Sequence, residues 1–222
     1  MIVKSDATIT LIGGASLDDK LLARARHLGS EVVAADGGAD AALARGILPR
    51  AVIGDFDSIS PRSVAALPQD RLHRIPEQES TDFDKCLRNI EAPLVIGVGF
   101  SGDRLDHQLA CYNALVRHPS RVCVVLGREE LVFLCPPSLR LDLPEHTPAS
   151  LFPMGAVEGV SNGLLWPIGG VNFAPDGPIG TSNTATGPVD LSVTSPKMLM
   201  ILPEYTLETV AAALLANPSR WE

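Results

Sequence analysis

Residues 31–58 read EVVAADGGADAALARGILPRAVIGDFDS, and the order of patterns within them decides the fold. A β-branched run (EVVAA, 31–35) ends on Asp36-Gly37-Gly38, a helical pattern follows, and a second apolar run (AVI, 51–53) ends on Gly54-Asp55-Phe56-Asp57-Ser58. The same alternation extends outward in both directions, through 8–13 (TITLIG), 72–75, 94–98 and 121–126. Strand, helix, strand in that order predicts a parallel sheet with helices on both faces. The intervening helices carry start and stop signals. Ser16 with Asp19 reads as a capping box closed by Gly29, and Ser60-Pro61 is a cap followed by proline at the first helical position. Ser80 or Thr81 caps 82–90, and Asp103 caps 104–117.

Beyond Cys135 the chain changes character. Of its 44 charged residues 33 lie before that point, and 12 of its 18 prolines lie after it. From Leu131 onward short apolar runs (LVFLC, SLRLDL, ASLFPM, AVEGV, VDLSV, KMLMIL) are separated by Pro and Gly, the pattern of an antiparallel β sandwich or barrel. The tail 206–216 (TLETVAAALLA) reads as an amphipathic helix capped by Thr206. We therefore expect two domains, an α/β domain over 1–135 and an all-β domain over 136–222.

Composition narrows the function classes. The 222 residues are 45 % apolar and 20 % charged, which suits folded domains rather than disorder. A net charge of −8 without a basic tract disfavours a grip on nucleic-acid backbone, and there is no apolar run long enough to span a membrane. The four cysteines lack metal-site spacing and disulfide density, so a reduced, soluble, cytoplasmic protein is expected. His27, His73, His118 and His146 are isolated, and no nucleophile elbow or Cys–His pattern suggests covalent catalysis.

Carboxylates gather where open α/β sheets bind ligands, just after strands: Asp36 after EVVAA, Asp55 and Asp57 after AVI, Asp103 and Asp106 after LVIGVG. Asp55 and Asp57, with Phe56 turned inward between them, form a pair of hard oxygen ligands of the kind Mg²⁺ takes while substrate phosphates complete its shell. Asp82 opens a helix, and Lys85 one turn on stands either beside a bound phosphate or as a surface ion pair of Asp82. Gly13-Gly14 and Gly37-Gly38 let backbone amides approach phosphate, and Arg104 among the glycines and aspartates suits a phosphate clamp. A carboxylate-and-magnesium phosphotransferase fits this set.

These motifs resemble a known family. ADGGAD (35–40), GDFDS (54–58), STDFDK (80–85), the run from Gly99 to His107 and the Ser182-Asn183 pair occur in the order found in thiamine pyrophosphokinases, over nearly the whole chain. The resemblance implies a Rossmann-like α/β catalytic domain followed by a β-sandwich thiamine-binding domain, in a homodimer. It implies transfer of the diphosphoryl group of ATP to the hydroxyl of thiamine, with release of AMP. Asp55, Asp57 and Asp82 look like the Mg²⁺ ligands. Gln78 and Lys85 lie where the family touches phosphates, and Asp36, Gly37, Gly38 and Arg104 complete the nucleotide site. Asp106, Ser182 and Asn183 are similar to thiamine-site residues, and either Asp82 or Asp106 accepts the hydroxyl proton. Trp166, in a segment similar to the family's GLxYPL, packs either against thiamine or in the sandwich core. Asp103 departs from a glycine common at that position. Rival readings are a pyrophosphokinase for another alcohol such as a hydroxymethylpterin, a metal-dependent nucleotide hydrolase, and a binder without turnover.

Overall fold

The computed structural model describes residues 1–102 and 104–222; the expected cap Asp103 lies outside the described residues. The chain divides into two compact units, Met1–Ala114 with Cys123–Arg128, and Leu115–Val122 with Glu129–Glu222.

In the first unit the elements run β1 (Val3–Lys4), β2 (Ile9–Ile12), α1 (Asp19–Leu28), β3 (Glu31–Ala35), α2 (Gly38–Leu43), β4 (Ala51–Gly54), α3 (Pro61–Ala66), β5 (Leu72–Arg74), α4 (Asp82–Asn89), β6 (Ile90–Glu91), β7 (Val95–Val98), α5 (from Leu105) and β8 (Cys123–Leu126). Its sheet has the order β8-β7-β2-β3-β4-β5, and every pairing between these strands is parallel. The buried runs Ile9–Ile12 and Val95–Val98 explain why: a strand covered on both faces needs no polar alternation. β2 lies between β3 and β7, so the chain leaves it first toward β5 and later toward β8. That reversal of direction opens a crevice at the carboxyl ends of β2 and β7.

Local signals set the helix starts, with one correction. Ser60 Oγ accepts from Ser63 N at 3.2 Å and Thr81 Oγ1 from Asp84 N at 3.3 Å. α1, however, begins only at Asp19, which puts Ser16 too far upstream to cap it. Asp18 does so instead, its Oδ1 accepting from Lys20 N at 2.8 Å and Leu21 N at 3.2 Å.

The second unit contains β9 (Glu130–Leu134), β10 (Ser138–Leu141), β11 (Ser150–Pro153), β12 (Gly159–Leu164), β13 (Ala185–Val193), β14 (Met198–Pro203) and α6 (Leu207–Ala216). Its strands pair antiparallel, in the orders β11-β14-β9 and β10-β13-β12. The expected strand at 156–160 starts late, at Gly159, because Val157 is taken up in a bridge to Phe173. α6 buries Leu207, Val210, Ala211 and Leu214, one face at helical spacing. Thr206 does not cap it through its side chain; its hydroxyl donates to Pro203 O at 2.8 Å. No helix among the described residues is long and apolar enough to cross a membrane.

All four cysteines are free and buried. Burial pushes the Cys111 thiol up to about 12 and those of Cys86, Cys123 and Cys135 well above the usual range. Burial keeps such a thiol in its unreactive protonated form and away from reagent. Ellman's reagent should therefore label none of the four cysteines in the native protein and all of them after denaturation; rapid native labelling would contradict this packing.

Candidate active site

Asp36 stands directly after β3, buried, with φ of +40°. Its two carboxylate oxygens hold the loop that follows β4: Oδ2 accepts from Phe56 N at 2.9 Å and Oδ1 from Ile59 N at 2.7 Å. Phe56 has φ of +68°, a left-handed backbone that bulky residues rarely adopt. Its ring packs against the cluster of Ala34, Ala39, Val52, Ile59 and Leu67, which offsets that strain. The inward turn expected of Phe56 is thus present, and it leaves Asp55 and Asp57 on the side of Asp36. One carboxylate oxygen from each of Asp36, Asp55 and Asp57 lies within 4.8 Å of the others. A Cβ on Gly54 would come within 2.7 Å of the Asp36 Cβ, so this approach of the two strand ends requires glycine.

Three carboxylates so close need compensating charge. Lys85 Nζ donates to Asp55 Oδ2 at 2.8 Å and to Asp82 Oδ1 at 3.1 Å from a side chain only 1 % exposed. Of the two alternatives for Lys85, the surface ion pair is overturned in its placement: the i,i+3 contact with Asp82 exists, but the ammonium is inside the protein. Gln78 Nε2 adds a second bond to the same Asp55 oxygen, at 3.0 Å, and Arg74 Nε holds the Asp55 carbonyl at 2.9 Å. The bond from Lys85 holds the Asp55 carboxyl down to about 2, whereas burial raises those of Asp36 and Asp82. Burial alone would lower Lys85, but its two carboxylate partners keep it above the ordinary lysine value.

Of these groups Asp36, Asp55, Gln78, Asp82 and Lys85 line a 730 Å³ cavity in the first unit, together with Gly14, Gly37, Gly99 and Phe100. It opens at the carboxyl ends of β2 and β7. There Gly13 N donates to Val98 O at 2.8 Å, and a Cβ on Gly13 would lie 2.3 Å from Gly99 O. Residues 27–126 match the family described as "Thiamin pyrophosphokinase, catalytic domain". Over that segment the chain is similar to the catalytic domain of thiamine pyrophosphokinases. Thiamine pyrophosphokinase 2 of Arabidopsis thaliana is 28 % identical over 123 residues, 48 % of this chain and 46 % of that protein. Across the plant relatives the chain spans about half their length, 46 % to 58 %. Among solved structures, thiamine pyrophosphokinase from Bacillus subtilis superposes with a TM-score of 0.72 at 20 % identity, over 88 % of this chain and 98 % of that one. Thiamin pyrophosphokinase from Candida albicans gives 0.74 at 16 % identity, over 88 % and 90 %.

The other residues taken from the resemblance to thiamine pyrophosphokinases lie as follows. Arg104 and His107 line the cavity. Arg104 is bound to Asp106, with Nε to Oδ1 at 3.1 Å and Nη2 to Oδ2 at 2.5 Å, and both side chains are largely exposed. Gly38 cannot carry a side chain, because a Cβ would sit 2.1 Å from Ile12 O. Ser182 and Asn183 belong to the second unit. Asn183 is buried, and its amide is given to backbone: Oδ1 accepts from Trp166 N and Thr184 N, and Nδ2 donates to Trp166 O at 2.7 Å. Trp166 itself is 58 % exposed, which overturns its placement in a sandwich core.

Sequence reasoning missed Asp40, Phe83 and Phe100. Asp40 lines the cavity and anchors Ser60, accepting from its N at 2.9 Å and its hydroxyl at 2.6 Å. Its position four residues after Asp36, one helical turn on, was the available signal. Phe83 and Phe100 pack edge to face at 4.8 Å, a partnership between α4 and the loop after β7 with no sequence signal.

Two outcomes follow. Lys85→Met should cost about 3–5 kcal/mol in urea unfolding, because it strands Asp55 and Asp82 without a counter-charge; a loss below about 1 kcal/mol would contradict the buried pairing. Asp55 is depressed in the folded state, so its contribution is complete above about pH 4 and is lost as pH falls through about 2. The stability gap between wild type and Asp55→Asn, measured in chelator, should be constant from pH 7 to about pH 4 and close below that.

Proposed function

We propose that the protein is a thiamine pyrophosphokinase, transferring the diphosphoryl group of ATP to the hydroxyl of thiamine to give thiamine diphosphate and AMP. The observation that carries this is the convergence of Asp36, Asp55 and Asp57 beside buried Lys85, in the segment that matches the family's catalytic domain. On this reading the first unit is a Rossmann-like nucleotide-binding fold, and the second a β sandwich that binds thiamine. The functional division runs 1–135 and 136–222, and the enzyme is a cytoplasmic homodimer acting without nucleic acid or membrane. Four free thiols accord with a reducing compartment. The exposed Leu165 and Trp166 accord with burial in an assembly.

The donor set fits Mg²⁺: hard carboxylate oxygens only, close enough to share one ion. Asp55 and Asp57 belong both to this set and to the one read from the resemblance, which adds Asp82 where the geometry adds Asp36. When bound, the ion neutralises charge on the phosphates. The chain's own residues do the rest. Gly37 and Gly38 bring backbone amides to the nucleotide, while Gln78 and Lys85 fix Asp55 and present positive charge at the cavity wall. Arg104 is the clamp for the outer phosphates. For thiamine the residues we propose are Asp106 in the first unit and, separately, Ser182 and Trp166 in the second, where Asn183 holds the Trp166 backbone.

In the transfer, the thiamine hydroxyl oxygen forms a bond to the β-phosphorus, the α–β bridging bond breaks and AMP departs. The hydroxyl proton passes to a carboxylate, for which we propose Asp82. Burial raises Asp82 toward a useful basicity, whereas Arg104 holds Asp106 below the ordinary range.

The test follows AMP release from Mg·ATP with and without thiamine, alongside thiamine diphosphate by its oxidised fluorescence. Thiamine-dependent AMP matched by thiamine diphosphate, with at least ~10²-fold loss in Asp55→Asn, is the expected result. Thiamine-independent AMP would make the protein a nucleotide hydrolase, and turnover only with a hydroxymethylpterin would change the acceptor.

A further inference from the structure

The opposite edge of the same sheet carries a second cavity, of 340 Å³, whose lining includes Arg26, Glu31, Ile47, Leu48, Arg50 and Arg71. It lies at the strand beginnings: Glu31 opens β3, Arg50 precedes β4 and Arg71 precedes β5. Asp36 and Asp55 stand at the far ends of β3 and β4. In parallel strands that separates the two cavities by about 16 Å along β3, so this one is no extension of the first.

Its charge runs against that of the chain. Three guanidinium groups face one carboxylate in a protein whose net charge is −8. The Arg50 guanidinium is tied to Glu31 and to the Lys4 carbonyl at 3.0 Å, which joins the beginnings of neighbouring strands. Arg71 Nη1 donates to the Pro49 carbonyl at 3.0 Å. A carbonyl fixes the guanidinium without neutralising it, and each arginine has five N–H donors, of which these bonds use only one or two. Glu31 offsets the charge of Arg50, so the surplus positive charge is that of Arg26 and Arg71, the latter held in place by neighbouring backbone, an arrangement that favours bidentate capture of a phosphate group. Beside it Ile47 is buried and Leu48 is 51 % exposed, giving an apolar flank. The volume is that of a small-ligand site.

We propose that this cavity binds a small phosphomonoester, its phosphate oxygens on Arg26, Arg50 and Arg71 and its organic part against Ile47 and Leu48. The site is separate from the transfer chemistry and stands or falls independently of it.

The probes are phenyl phosphate and inorganic phosphate, titrated into the full, ¹⁵N-labelled chain. Saturable shifts of the Val32, Gly46 and Ile47 amides are expected, with phenyl phosphate the tighter ligand. Arg71→Ala should weaken binding at least ~10-fold, as loss of a charge-assisted hydrogen bond implies. Should Arg71→Ala fail to fold, Arg26→Glu, on the exposed face of α1, should abolish the same shifts, while Asp55→Asn should leave them. The proposal is overturned if only Gly14, Gly37 and Gly99 shift, if inorganic phosphate binds as tightly as phenyl phosphate, or if nothing saturates below roughly 20 mM.

Discussion

A single buried ammonium group makes the acidic site possible. Asp36, Asp55 and Asp57 converge to within 4.8 Å, and Asp82 approaches from α4; without a cation, their mutual repulsion and desolvation would drive them apart or protonate them. Lys85 answers both, because its Nζ bridges Asp55 and Asp82 from a position 1 % exposed. That position in turn depends on where α4 begins, which Thr81 fixes through its bond to Asp84 N. The cap, the helix, the ammonium and the carboxylates are links of one chain of dependence.

The second link is Asp36. Its side chain is committed to two backbone amides of the loop after β4, and through them it keeps Phe56 in a left-handed conformation with the ring in the core. Backbone strain of this kind costs on the order of 1–3 kcal/mol and persists only where the surroundings over-determine it. Here the surroundings are two amides, an apolar pocket and the clearance left by Gly54. The loop thereby presents Asp55 and Asp57 as a rigid pair.

The first unit is electrostatically polarised along its strands. Carboxylates gather at the carboxyl ends, where β2 lies between β3 and β7 and the sheet reverses direction, while arginines gather at the opposite ends. Glycine turns stand at the first of these edges, the side of an open parallel sheet on which ligands bind. The second unit contributes a different chemistry, an exposed indole whose backbone is locked by a buried asparagine amide.

Much of this was legible from local pattern. EVVAA and AVI, each ending on glycine and aspartate, are strands whose carboxyl ends carry acidic groups, and Ser60 and Thr81 are caps, because hydrogen bonds two or three residues long are written in the sequence. α1 is capped by Asp18 rather than by the expected Ser16, through an equally local bond to the amides two and three residues on. Local pattern could not reach the partners of the charged groups. Asp36 binds amides 20 and 23 residues away and Lys85 a carboxylate 30 residues away, pairings set by the parallel register of β3 and β4 and the packing of α4 on them. Nor could it foresee that Asn183 spends its amide on the backbone of Trp166, or that the indole stays outside the core. The sequence by itself determined which acidic residues stand at which strand ends, since alternation and turn residues are short-range. Only the tertiary structure decided which of those carboxylates meet and what neutralises them, because burial and charge pairing depend on distances across the sheet that no spacing along the chain encodes.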